Sequence, residues 1–324
     1  MARSNIPLDF PTPDFARVRE ESGPVTERSM RSLYFAALDT RRRLTRLQQE
    51  LGWKFQPGQQ LKVSIEQKTE SHTRVADQSL KMTVQLLVEE KWDVKEVAEN
   101  GVATIDRSLT RIQLSIRSGV DEEITFDSSQ QRSAPGVART IAEALAPVLG
   151  KPVRIQVNPR GAVVDVELGK ELKGQLAELA KVLGDFFSPD SIEQQLMTIG
   201  RLPAGPVSKG QSWMANVESA TALGKLSVAR TFTYEGEKNT TDGSVSEIAI
   251  AGQLKLIPGT GEKDRTVTLR EQQLTGVLRF DAAAGRLLES TEQQKLGIQT
   301  AYRELRIQSE VATSTRTTVT LVGP

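Results

Sequence analysis

The chain contains no cysteine. That removes disulfides, thiolate zinc sites, iron–sulfur clusters and a cysteine nucleophile together. Histidine is almost as scarce: His72 is the only one among 324 residues. The chain therefore has no second imidazole for a His-based metal site or a triad. No run of eighteen apolar residues occurs, so nothing reads as a transmembrane helix. Aromatic residues make up 5%, too thin for a base-stacking platform, and the formal net charge of +1 gives no field that gathers nucleic acid or an anionic membrane. The expectation is no metal, no cofactor, no nucleic-acid partner and no membrane span. The opening MARSNIPLDFPTPDF lacks the apolar stretch of a signal peptide, so the chain as written is expected to carry no export signal.

What is present in quantity is alternation. In QSLKMTVQLLVEEKWDVKEV, residues 78–97, the even positions read Leu80, Met82, Val84, Leu86, Val88, Glu90, Trp92 and Val94. All are apolar except Glu90. Between them stand Lys81, Thr83, Gln85, Leu87, Glu89, Lys91 and Asp93, where only Leu87 is apolar. A helix would put Met82, Leu86 and Trp92 on its polar side, so period two wins. One face is buried and the other wet, which argues for antiparallel pairing. Such a strand would run roughly 60 Å at about 3.3 Å per residue. Glu99-Asn100-Gly101 turns the chain into a second long strand over 102–116. Ile105 and Leu109 sit on the opposite parity to Ile112, Leu114 and Ile116, which predicts a bulge between Leu109 and Ile112.

The rest divides by pattern. Residues 1–25 read as a Pro-rich arm and 26–51 as an N-terminal helix stopped by Gly52. The Arg41-Arg42-Arg43 and Arg46 cluster on that helix reads as a solvated face near a C-terminal end. A first β-unit occupies 53–127. A helical insertion with a short hairpin occupies 133–200, with helices at 134–149, 170–184 and 188–199 around strands 153–157 and 163–168. A second β-unit occupies 205–324, and 53–324 reads as one folded body. Gly58-Gln59 and Gly210-Gln211 each stand just before a strand, and each unit then runs a long strand, a Gly turn and another long strand. This suggests a duplicated β-unit. Asn158-Pro159-Arg160-Gly161 has an echo in Asp281-Ala282-Ala283-Ala284-Gly285, each joining two strands. The total is about eleven or twelve long antiparallel strands. The fold class is mainly β with a helical insertion. Long strands curl, so the architecture is a strongly curved antiparallel sheet or half-open barrel with helices packed in its concave mouth.

No residue set reads as an active site. His72 follows Glu70-Ser71 at a strand end and reads as a turn histidine. Glu89 and Glu90 point to opposite faces of a strand and cannot share a proton. Asp121-Glu122-Glu123 is the other acidic group available for acid–base work. Glu90, on the apolar parity, either lies at the core rim or pairs with an inward Arg such as Arg230. Gly259-Thr260-Gly261 leads into a strand rather than a helix, so it lacks the geometry that binds phosphate. Asn239-Thr240-Thr241 fits a glycosylation sequon by pattern only and reads as a turn.

The order of elements resembles the half-barrel of bacterial lipoprotein carriers and related mycobacterial envelope lipoproteins. FQPGQQLKVSIEQ at 55–67 and LPAGPVSKGQSW at 202–213 also resemble an uncharacterised β-rich domain family common in planctomycete bacteria. The resemblance covers roughly residues 53–324. It implies acyl chains held between sheet and helices, no catalytic residues, and a periplasmic or cell-envelope location. The chain departs from the exported pattern in lacking a signal peptide and a lipid-attachment Cys; taken as complete, it points to the cytoplasm instead.

Two functions follow from the shape. One is a non-catalytic binding or carrier protein for an apolar, lipid-like ligand. The other is a structural or interaction module whose concave face is plugged by its own helices; a hydrolase is a distant third. The candidate ligand-binding residues are Met82, Val84, Leu86 and Trp92 in the first unit and Phe232 and Tyr234 in the second. Trp92 is expected to line the open part of the concavity, beyond the reach of helices about 24 Å long.

Overall fold

The computed structural model describes residues 48–119, 123–130, 136–183, 202–221, 224–241, 243–258, 265–302 and 305–322. The first β-unit contributes β1 (Gln60–Val75), β2 (Gln78–Val97), β3 (Ala103–Ser118) and the short β4 (Ile124–Asp127). Helix α1 (Val137–Leu145), strands β5 (Pro152–Val157) and β6 (Val163–Glu167), and helix α2 (Lys170–Leu183) follow. The second unit contributes β7 (Ser212–Thr221), β8 (Gly224–Thr240), β9 (Gly243–Pro258), β10 (Arg265–Asp281), β11 (Arg286–Tyr302) and β12 (Leu305–Leu321). With 69% strand against 8% helix, the body is a sheet whose faces the two described helices cover only in part.

All twelve strands form one antiparallel sheet in the order β6-β5-β3-β2-β1-β12-β11-β10-β9-β8-β7, with β4 paired to β3. The chain meanders outward from β1 to β6, then re-enters at the far edge with β7 and meanders back until β12 closes against β1. The sheet is not closed into a barrel; β6 and β7 are its edges.

The curvature can be read from two consecutive residues. Trp53 N–H donates to Pro159 O at 2.7 Å, in the β5–β6 turn, and Lys54 N–H donates to Gly285 O at 2.9 Å, in the β10–β11 turn. Lys54 Nζ adds bonds to Ala282 O at 3.1 Å and Ala283 O at 3.3 Å. In a flat sheet β5 and β11 would lie about 24 Å apart, five spacings of about 4.8 Å, yet neighbouring Cα atoms are about 3.8 Å apart. The sheet must curl until the two turns converge. At Gly276 the approach is so close that an added Cβ would lie 2.3 Å from Thr291 O, so only glycine fits there.

The two lead-in turns make matching hydrogen bonds. Gln59 N–H bonds Gln56 O at 3.0 Å and Gln211 N–H bonds Ser208 O at 2.9 Å. Gly58 and Gly210, at φ of 81° and 83°, supply the positive φ of such turns. They donate to Val94 O and Tyr234 O respectively. Val94 and Tyr234 in turn donate to Gln59 O and Gln211 O.

The core has two parts. The larger gathers Trp53 and Phe55, which stack with centroids 5.1 Å apart, with Leu61, Trp92, Ile105, Ile155, Leu202, Ile248 and Phe280. The smaller lies where Ile141, Leu145, Leu172 and Leu176 of the helices cover Ile112 and Phe126, with Leu86 and Val88 packed alongside. These sheet residues alternate with wet ones, as a half-buried strand demands.

Several expectations are corrected. The end of the expected N-terminal helix, residues 48–51, is not helical; Leu51 is instead buried in the larger core. The remainder of that helix, the Pro-rich arm and the expected helix at 188–199 lie outside the described residues. Helix α1 stops at Leu145, before Pro147, because proline cannot donate the next helical bond. The bulge expected between Leu109 and Ile112 is present: the β2–β3 register shifts so that Glu89 faces Arg111 and Glu90 faces Leu109, which leaves Thr110 as the bulged residue. His72 lies within β1 rather than in a turn; its Nε2 is 2.7 Å from Ser79 Oγ on an exposed surface.

Candidate ligand cavity

A cavity of about 440 Å³ lies on the concave side, within the roughly 300–1,000 Å³ of small-molecule sites. The strands dictate its floor. Register carries Leu86 to Gln67, Gln67 to Thr315 and Thr315 to Glu292, so these four side chains form one inward row. The next row runs Ile112, Val88, Ile65, Thr317, Ser290 and Leu278. Leu172 and Leu176 of α2 form the roof, and Val148, Lys151 and Val153 one side. Trp53, Trp92, Phe232, Ile250 and Leu287 close the rest of the wall.

Two ion pairs are set into this apolar wall. Glu90, 3% exposed, accepts from Arg107 Nε at 2.6 Å and from Arg107 Nη2. It also accepts from Trp92 Nε1 at 3.0 Å. Arg107 projects from β3 directly opposite Trp92. The second pair is Arg230 with Glu292, Nε to Oε2 and Nη2 to Oε1, both at 2.9 Å. Strands β8 and β11 are three spacings apart, about 14 Å in a flat sheet. The pair is possible because the sheet is bent between them and the intervening inward positions include Gly252 and Gly276. Glu90 therefore neither lies at an exposed rim nor pairs with Arg230: it pairs with an inward Arg on the adjacent strand, Arg107, and Glu292 offers Arg230 both carboxylate oxygens.

Leu86, Trp92 and Phe232 line the cavity. Trp92 does so at the packed end, 3% exposed, beneath Trp53 and Phe55 rather than in an open part. Val84 is half-buried and does not line the cavity. Met82 is 38% exposed, toward the other end of β2. Tyr234 is buried in the larger core, and burial pushes its phenol pKa up. Pattern reading missed Arg107, Lys151, Glu292 and the two α2 leucines. Arg107 had a signal, since it stands between Ile105 and Leu109 on the inward parity. Glu292 had none, because β11 reads as a polar strand. Among the described residues, no group of three or more His, Asp or Glu side chains is placed to hold a metal ion, and no helix is long and apolar enough to cross a membrane.

Residues 100–278, from the start of β3 to near the end of β10, match DUF6263, a family of unknown function. The chain belongs to this family. No curated protein matches it. Among solved structures it is similar to one described as showing lipid–protein interactions in lipovitellin, at 12% identity and a TM-score of 0.44. That match covers 83% of this chain but 25% of the other, so the chain spans about a quarter of the length of the protein it resembles. An outer membrane channel from Pseudomonas putida F1 gives 6% identity and a TM-score of 0.22, covering 82% of this chain and 97% of that one. Pseudomonas aeruginosa OpdQ gives 5% and 0.23, covering 82% and 99%. At these scores the similarity does not reach a shared fold.

Proposed function

We propose that the protein is a non-catalytic binding or carrier protein whose concave cavity holds an apolar, lipid-like ligand. The observation that carries this reading is an internal space of about 440 Å³ walled chiefly by Leu, Ile, Val, Trp and Phe side chains. A space of that size between a strongly bent sheet and two short helices is more than loose packing, since voids larger than a water molecule are few in ordinary interiors. Glu90, Arg107, Arg230 and Glu292 interrupt the apolar wall, but their forks satisfy one another, so they leave no unpaired charge facing a neutral chain. Catalysis has little support. Among the described residues the wall offers no nucleophile held by a base, and His72 sits with Ser79 on an exposed strand surface.

Trp92 is the natural reporter, because it lines the cavity and is otherwise buried. Titration with a fatty acid, or with a detergent below micelle formation, is expected to shift tryptophan emission saturably. No change with either ligand would leave the self-plugged structural module as the better reading.

A further inference from the structure

We infer that the cavity selects amphiphiles with a single anionic head group, and that Lys151 meets the head group's charge. This rests on the carrier reading above. Five ionisable side chains line the cavity: Glu90, Arg107, Lys151, Arg230 and Glu292. Four of them are already used in two forks. Each fork joins both oxygens of a carboxylate to two nitrogens of a guanidinium, the geometry that gives a bidentate pair its strength and direction. Neither fork has a charge left over.

Lys151 is different. Among the described residues no carboxylate is paired with it, so the described wall, with three cations and two anions, carries one positive charge. Its place is also fixed. Gly150 N–H bonds Leu109 O at 2.8 Å, Lys151 N–H bonds Val148 O at 3.3 Å, and Pro152 begins β5 immediately after. Val148 and Val153 flank it and line the same cavity. Lys151 is exposed and lines the cavity, a position in which a lysine can keep its ammonium in water while its methylenes lie along apolar surface.

A cation at the rim of an apolar space sets a rule for what enters. An anionic head group carried into the cavity alone would be left without a partner, and an unpaired buried charge is costly. A head group stopped at Lys151 keeps an ion pair and partial hydration while its chain lies along Leu86, Val88, Leu172 and Leu176. A neutral head group gains nothing there, and a cationic one is repelled. Glu90 and Glu292 line the same space, but both are held by their arginines and do not offset Lys151.

The test titrates the intact chain with lauric acid and with lauryl alcohol at pH 8, below their aggregation thresholds, following tryptophan emission. The acid is expected to bind more tightly than the alcohol, and its advantage to shrink as salt is added. Lys151→Gln is expected to weaken the acid by roughly fivefold, the scale of one exposed charge pair, and to leave the alcohol unchanged. Lys151→Arg should restore the preference. Equal affinities for acid and alcohol in the native chain would overturn the inference, as would an acid preference that survives Lys151→Gln. If neither probe binds, the carrier reading itself fails and the selectivity falls with it.

Discussion

Replacing Arg107 with Met tests whether the inward ion pairs are structural members of the wall. Methionine keeps most of the arginine stem and removes the guanidinium. Glu90, 3% exposed, then loses two of its three donors and keeps Trp92 Nε1 at 3.0 Å. Removing one partner of a buried pair costs about 3–5 kcal/mol, because the other charge is left uncompensated. The Arg107 side chain is 19% exposed, so the lower end applies, about 3 kcal/mol. With a urea m-value near 3 kcal/mol/M, the midpoint should fall by about 1 M. Adding Glu90→Gln removes the stranded charge and keeps an oxygen for Trp92. The double variant is therefore expected to recover at least half of the loss, measured by urea denaturation with fluorescence and circular dichroism together. A single variant within about 0.5 kcal/mol of the native chain would refute the reasoning. So would a double variant with no recovery, since the cost would then lie in lost packing rather than in an unpaired charge.

Other perturbations follow from the same geometry. Gly276→Ala places a Cβ 2.3 Å from Thr291 O, and forcing the strands apart should cost about 1–3 kcal/mol and lower the thermal midpoint. The Arg111 guanidinium, with Ser129 and Gln113, holds the Asp127 carboxyl well below the usual carboxylate range. Its contribution to stability is therefore full above the unfolded carboxylate value of about 3.9 and is lost as pH falls further. Asp127→Asn should flatten the acid limb of a stability-versus-pH curve; an unchanged limb would contradict this. Leu86→Trp adds bulk on the cavity floor and is expected to abolish the emission response to fatty acid while leaving the far-ultraviolet circular dichroism spectrum in place.

The sheet was legible because alternation is a direct consequence of burying one face. Leu80 to Val94 could be read as a strand without any knowledge of what covered it, and the parity break at Leu109 marked the bulge at Thr110. The paired Gly-Gln lead-ins could be read as well, though not the positive φ that Gly58 and Gly210 adopt there. The cavity was harder to read. Its inward polar groups violate the pattern that reveals inward positions, so Glu90 stood out on an apolar strand while Glu292 vanished on a polar one. Trp92 was placed at the wrong end of the concavity, because strand length does not reveal which end the chain folds back to cover. That cover comes from Trp53 and Phe55, ahead of β1. The backbone N–H groups of Trp53 and Lys54 are tied to two turns remote in sequence, and sequence pattern has no access to such long-range backbone bonds. Lys151 was invisible for a related reason: a lysine after Gly150 looks like any surface turn until the fold places Val148 and Val153 on the cavity wall.

The proposed occupancy of the space between sheet and helices is tested most directly by native mass spectrometry of the intact chain purified without detergent. A subpopulation carrying a noncovalent adduct of lipid-like mass is expected. That adduct should be released on denaturation and be absent or strongly reduced in Leu86→Trp. A spectrum containing only the bare chain, with no adduct after incubation with a fatty acid, would contradict it.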